Sequence, residues 1–83
     1  MRLTTRELQV LVGVSMGFKD REIAERLKIA YDTERVHLVN LWDKLGTHRR
    51  TLLVRIFFTD VCIVPEYHRR IADYSEMYSK PPP

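Results

Sequence analysis

The sequence predicts an all-α fold: four helices in a helix-turn-helix arrangement, with an added C-terminal helix. Three observations carry this expectation. Apolar residues recur at helical spacing along most of the chain. Cap-type residues precede these stripes and glycines follow them. With 83 residues there is room for a single domain, since separate cores need on the order of 50 residues each. No repeat, low-complexity tract or linker divides the chain. Residues 1–64 are expected to form the helix-turn-helix domain, and residues 65–83 a C-terminal helix and proline tail, part of the same domain or of a dimer contact.

Thr4 suits the cap of the first helix, and Glu7 three residues on completes a capping box. Leu8, Leu11 and Val14, with Val10 beside them, form its apolar stripe. Gly17 ends it, because glycine readily takes the left-handed conformation that closes helices, and Phe18 is placed to fold back as a plug. A short second helix is expected from about Asp20 to Leu27, with Ile23, Ala24 and Leu27 inward. Its charged residues Arg21, Glu22, Glu25 and Arg26 read as a salt-bridged surface. Lys28-Ile29-Ala30 is the turn, plugged by Ile29.

The third helix is expected from about Thr33 to Leu45, with positions 34, 37, 38, 41 and 45 inward. Gly46 closes it and Thr47 suits the next cap. The fourth helix, from about His48 to Ile63, is apolar over most of its circumference. One stripe suffices to pack a helix on a small domain, so the surplus calls for a cover, either a second copy or the chain's own tail. That tail begins at Pro65, which suits a first helical position. Tyr67, Ile71, Tyr74 and Tyr78 share one face of it, and it should end near Lys80 because Pro81-Pro82-Pro83 cannot continue a helix.

Composition narrows the function. An apolar fraction of 45% with 30% charged residues describes a globular protein rather than a disordered one. No apolar run approaches the roughly 20 residues of a membrane span, and no signal-peptide pattern opens the chain, so a cytoplasmic location without membrane contact is expected. The lone Cys62 excludes an internal disulfide and the common zinc patterns. His37, His48 and His68 are isolated, no nucleophile stands beside a base, and no glycine loop could cradle a phosphate. Neither an enzyme nor a metal or other cofactor is expected. The net charge of +3 is uneven: residues 1–58 hold 11 Lys/Arg against 7 Asp/Glu, and residues 59–83 hold 3 against 4. A basic helix-turn-helix segment suits nucleic acid.

The spaced residues are more specific. Leu3-Thr4 and Arg6-Glu7 are followed by Gly17, Glu22-Ile23-Ala24 with Leu27, Thr33 with His37, Lys44-Leu45-Gly46 and Arg50-Thr51. This order resembles the helix-turn-helix domain at the C-terminus of LuxR-type (GerE-like) transcriptional regulators, over about residues 3–58, and here it is expected to stand alone. The resemblance implies a DNA-binding regulator whose third helix enters the major groove. It places base contacts two, three and six residues after Thr33, at Arg35, Val36 and Val39.

The helical register adds Asn40 to that outward face. Arg35 has the donors to bond guanine twice, Asn40 suits adenine, and the valines suit thymine methyls. Candidate phosphate contacts are Arg6, Lys19, Lys28, Thr33, Lys44, Arg49 and Arg50. Val54, Phe57, Phe58 and Val61 of the fourth helix are expected to form a homodimer contact that sets two recognition helices on a two-fold site.

Three features depart from the pattern. The family's usual serine before the threonine is Ala30, so capping of the third helix should pass to Asp32. The usual core aliphatic after the threonine is Glu34, expected to pair with a basic residue of the second helix or to turn outward. Asp32 and Glu34 together should also oppose phosphates. The third departure is the tail helix. A rival reading is a protein-interaction adaptor that docks a transcription component through Val36, Val39 and Trp42.

Overall fold

A computed structural model describes residues 2–81. Its elements are α1 (Thr5–Ser15), α2 (Asp20–Leu27), α3 (Tyr31–Leu45), α4 (Arg50–Ile56), a π-helical turn (Phe57–Val61) and α5 (Pro65–Ser79), with no strand among the described residues. Pro82 and Pro83 of the proline tail lie outside them.

The fold is built around α1, which packs against every other helix. Its start follows from the capping box: Thr4 Oγ1 accepts the Glu7 N–H at 3.2 Å, and Glu7 Oε1 accepts the Thr4 N–H at 2.9 Å. Its end follows from Gly17, at φ +89°, after which the Phe18 N–H returns to the Gly13 carbonyl at 3.0 Å. Leu8, Val10, Leu11, Val12, Gly13 and Val14 are all buried, so α1 is covered on more than the one stripe expected. The additional cover is α5. Its Tyr78 hydroxyl donates to the Gln9 carbonyl at 2.7 Å, and its Tyr67 oxygen accepts the Leu3 N–H at 3.0 Å. Tyr67 and Tyr78 are buried, with Ile71 and Tyr74 half-buried on the same face.

Helix α2 starts and ends where expected. The Glu22 carboxylate accepts the Lys19 N–H at 2.9 Å. Lys28 takes the left-handed conformation at φ +58°, and Ile29 packs against the core with its N–H on the Ala24 carbonyl at 3.0 Å. Helix α3 begins two residues earlier than expected. Ala30 is its cap residue with no side-chain hydrogen bond, so Asp32 lies inside the first turn and does not cap. There it still meets the positive end of the helix dipole.

The fourth helix differs most. It begins at Arg50, with Arg49 in the cap position. Thr47 forms a turn instead of a cap, its Oγ1 accepting the Arg49 N–H at 3.1 Å. After Ile56 the backbone widens into the π turn, in which the Cys62 N–H reaches the Phe57 carbonyl at 2.8 Å. Residues four apart drift around a helix of about 3.6 residues per turn. A wider turn takes that drift back, and Leu53, Phe57 and Val61 all stay buried in the core.

Candidate nucleic-acid interface

Helix α3 has two contrasting faces. Glu34, Leu38 and Leu41 are buried, with His37 and Leu45 half-buried beside them. On the opposite side Val36 is 59% and Val39 41% exposed, and Asn40 is exposed too. A valine left in water is unfavourable for the chain alone, and two on adjoining turns mark a surface that the fold leaves uncovered.

Arg35 lies at the border of these faces and is held from two sides. Its guanidinium donates to Asp20 Oδ2 at 2.9 Å and lies 5.3 Å from the Trp42 ring centre. Asp20 also accepts from Arg50 at 3.2 Å on its other oxygen, while Arg50 donates again to the Phe18 carbonyl. One carboxylate thus ties the start of α2 to α3 and α4. It takes one of the five N–H donors of Arg35 and leaves others free.

Glu34 neither pairs with a base of α2 nor turns outward, contrary to both expectations. It is fully buried, and neither carboxylate oxygen has a hydrogen-bond donor among the described residues. Burial disfavours its charge, and the nearby Asp20 carboxylate disfavours it further by charge and by accepting a hydrogen bond from the protonated form. Arg35 and Arg50 oppose these effects only in part, and the Glu34 pKa rises from 4.5 to about 8. Glu34 is therefore mostly neutral at pH 7. The two acids expected to repel phosphates reduce to Asp32, which is exposed.

Of the candidate phosphate contacts, Lys19, Lys28, Thr33 and Arg49 are exposed. Arg6 donates to the Gln9 side chain at 3.0 Å. Lys44 donates to Glu7 at 2.7 Å and to the Arg2 carbonyl at 3.0 Å, so it latches the N-terminal segment to α3. Burial pushes the Glu7 pKa up, but Lys44 and the Thr4 amide outweigh it and hold the carboxyl below its ordinary value.

Two features escaped sequence reasoning. The sequence marks Asp20 only as the start of the second helix, because its partners are 15 and 30 positions away. Arg21 read as part of a salt-bridged surface, yet its guanidinium lies 4.4 Å from the ring centre of Tyr31, and Arg26 lies 4.3 Å from that of Phe18. A cation followed by an aromatic ten positions on is the only trace of the Arg21 contact, and it has meaning only once the turn is known.

His48 meets the Trp42 ring edge-on at 6.0 Å, and both line an open cavity of about 330 Å³ with Asp43, Gly46 and Thr47. His68 Nε2 lies 2.6 Å from the Cys62 carbonyl oxygen. Burial raises the Cys62 thiol pKa, away from the reactive thiolate.

The expected dimer residues divide. Phe57 and Val61 are buried in the chain's own core, which removes them from any outer contact and corrects that expectation. Val54 is half-buried, and Phe58 is 59% exposed. Ile63, the expected last residue of the apolar fourth helix, is 68% exposed.

Comparison with known proteins follows the same outline. Residues 1–57 match the family described as bacterial regulatory proteins, luxR family. The chain is similar to the nitrate/nitrite response regulator protein homolog of Haemophilus influenzae, 39% identical over 56 residues, which are 68% of this chain and 27% of that protein. It is also similar to the probable transcriptional regulatory protein SgaR of Hyphomicrobium methylovorum, 39% identical over 54 residues, 65% of this chain and 26% of that protein. The chain thus spans about a quarter of the length of these relatives. No solved structure matches it.

Proposed function

We propose, from the premise that the chain belongs to the luxR family of bacterial regulatory proteins, that it regulates transcription by seating α3 in the major groove of duplex DNA. The observation that carries this reading is the bare outer face of α3, where Val36, Val39 and Asn40 are exposed beside a guanidinium fixed by Asp20 and Trp42. A positioned arginine loses less freedom on binding than a loose one. Arg35 reads a guanine edge, Asn40 an adenine, and the valines rest on thymine methyls. Lys19, Lys28, Thr33 and Arg49, all exposed, are the phosphate contacts of this reading.

The active form is a homodimer joined through the Phe58 and Ile63 region, with half-sites about one helical turn apart. Binding titrations on random and selected duplexes at several salt concentrations test this. Arg35→Ala should relax base preference by about 1–3 kcal/mol at one position. Arg49→Ala should weaken all sequences alike.

A second reading is favoured by one observation: Val36, Val39 and the Trp42 cavity make this face apolar enough to dock a protein. An adaptor of that kind would bind no duplex above the non-specific level at low salt. It would instead hold one transcription component in fixed stoichiometry.

A further inference from the structure

The cations around α3 differ in what already holds them. Arg35 and Arg50 share the Asp20 carboxylate, and Lys44 is paired with Glu7, so each is partly neutralised within the protein. Arg21 is held differently. It is exposed, its guanidinium lies 4.4 Å from the Tyr31 ring centre, and no carboxylate pairs with it among the described residues. An aromatic face attracts a cation through its quadrupole without cancelling its charge. The ring also takes none of the in-plane N–H donors that a carboxylate would take.

The position of this pair matters as much as its charge. Arg21 is the second residue of α2 and Tyr31 the first of α3, so their contact lies on the flank of the first turn of α3. The side chains proposed to face bases begin a turn further on, at Arg35 and Val36. A helix with its side chains is about 10–12 Å across, and the major groove is about 12 Å wide. Groups on the flank of a seated helix therefore meet the phosphate walls rather than the base edges. Asp32, exposed in that same turn, repels phosphates, and a full positive charge beside it offsets the repulsion.

We propose that Arg21, held on the Tyr31 ring, is a phosphate clamp that grips one backbone phosphodiester at the edge of the groove that α3 enters. The proposal rests on the DNA-binding reading above and adds to it the pair of residues that fixes the start of α3 against the backbone. Tyr31 is the positioning residue and Arg21 the one that touches the ligand. The ring must be present, whereas its hydroxyl is not required.

The test uses the whole chain and a mixed-sequence duplex of about three helical turns, titrated as salt rises from about 50 to 200 mM. Arg21→Gln, which keeps most of the stem and removes the charge, should weaken binding several-fold for every sequence alike. It should also reduce the slope of log affinity against log salt by about 0.9. Tyr31→Phe should bind as the wild type does. Tyr31→Leu, which leaves the charge but not its support, should lose affinity while keeping the slope. An Arg21→Gln slope equal to a steep wild-type slope overturns the proposal. Should Arg21→Gln fail to melt cooperatively, the Tyr31 pair decides, and equal affinities for the Phe and Leu variants overturn it. A wild type that binds no duplex defeats the DNA-binding reading itself, which is a separate and recognisable failure.

Discussion

Glu34 concentrates the physics of this chain in one residue. It is fully buried, without a donor for either oxygen among the described residues, near a second carboxylate. Its folded pKa of about 8 lies above the unfolded value near 4.5, so the protonated form is the stable one. The stability it permits is complete below about pH 4.5 and is lost as pH climbs through about 8. Urea unfolding between pH 5 and 9 should show this fall, and Glu34→Gln should remove it and be the more stable protein at pH 9. The paired Glu7, whose pKa is lowered, acts at the other end of the scale: its contribution is full above its ordinary value of 4.5 and lost in acid. Gly13 is the other decisive residue. A Cβ there would stand 2.8 Å from both Ile23 Cγ1 and the Tyr78 hydroxyl. Gly13→Ala should lower stability by roughly 1–3 kcal/mol despite alanine's better helix propensity. A urea midpoint unchanged or raised would refute that account of the α1, α2 and α5 junction.

Among the elements, α1 and α2, with local punctuation at their ends, were legible in the sequence, whereas the start of α3 and the course of the fourth helix were not. Thr4, Glu7, Gly17 and Phe18 fix both ends of α1 through bonds among near neighbours. The start of α3 escaped because Ala30 caps without a side-chain bond, so nothing in the residue types marked it. The fourth helix escaped for a further reason. Its apolar residues cover most of its circumference, and the periodicity cannot say which of them face α1. The π turn settles the question by keeping Phe57 and Val61 inward and leaving Phe58 out. For the proposed homodimer, Phe58→Glu should therefore leave the monomer folded while abolishing self-association. Sedimentation at several concentrations reads this directly, and an unchanged dimer mass would move the contact elsewhere.

For the molecule as a whole, the tail helix is part of the core. Tyr67 and Tyr78 close the side of α1 that the four-helix portion leaves open, each with a hydrogen bond to the segment it covers. Burying a large apolar side chain contributes about 1.5–3 kcal/mol, and small domains have only about 5–15 kcal/mol in all. Truncation after Val64 should consequently abolish or severely weaken cooperative thermal unfolding, as followed by circular dichroism. A truncated chain melting like the full one would show that α5 only decorates the surface. Electrostatics also act at this scale. The basic excess of residues 1–58 lies in the segment that carries α3, while a neutral Glu34 and a doubly paired Asp20 lessen the negative charge near its start.

The sequence alone determined the helical class, the number of helices, the caps of α1, the turn between α2 and α3, and the outward register of Val36, Val39 and Asn40. All of these follow from spacing and from bonds between residues a few positions apart. Tertiary structure alone decided the fate of Glu34, the sharing of Asp20 by Arg35 and Arg50, the Arg21 contact with Tyr31, and which faces of α1 and the fourth helix are covered. Those outcomes depend on desolvation and on partners brought together from distant positions, and one chain's periodicity holds no record of either.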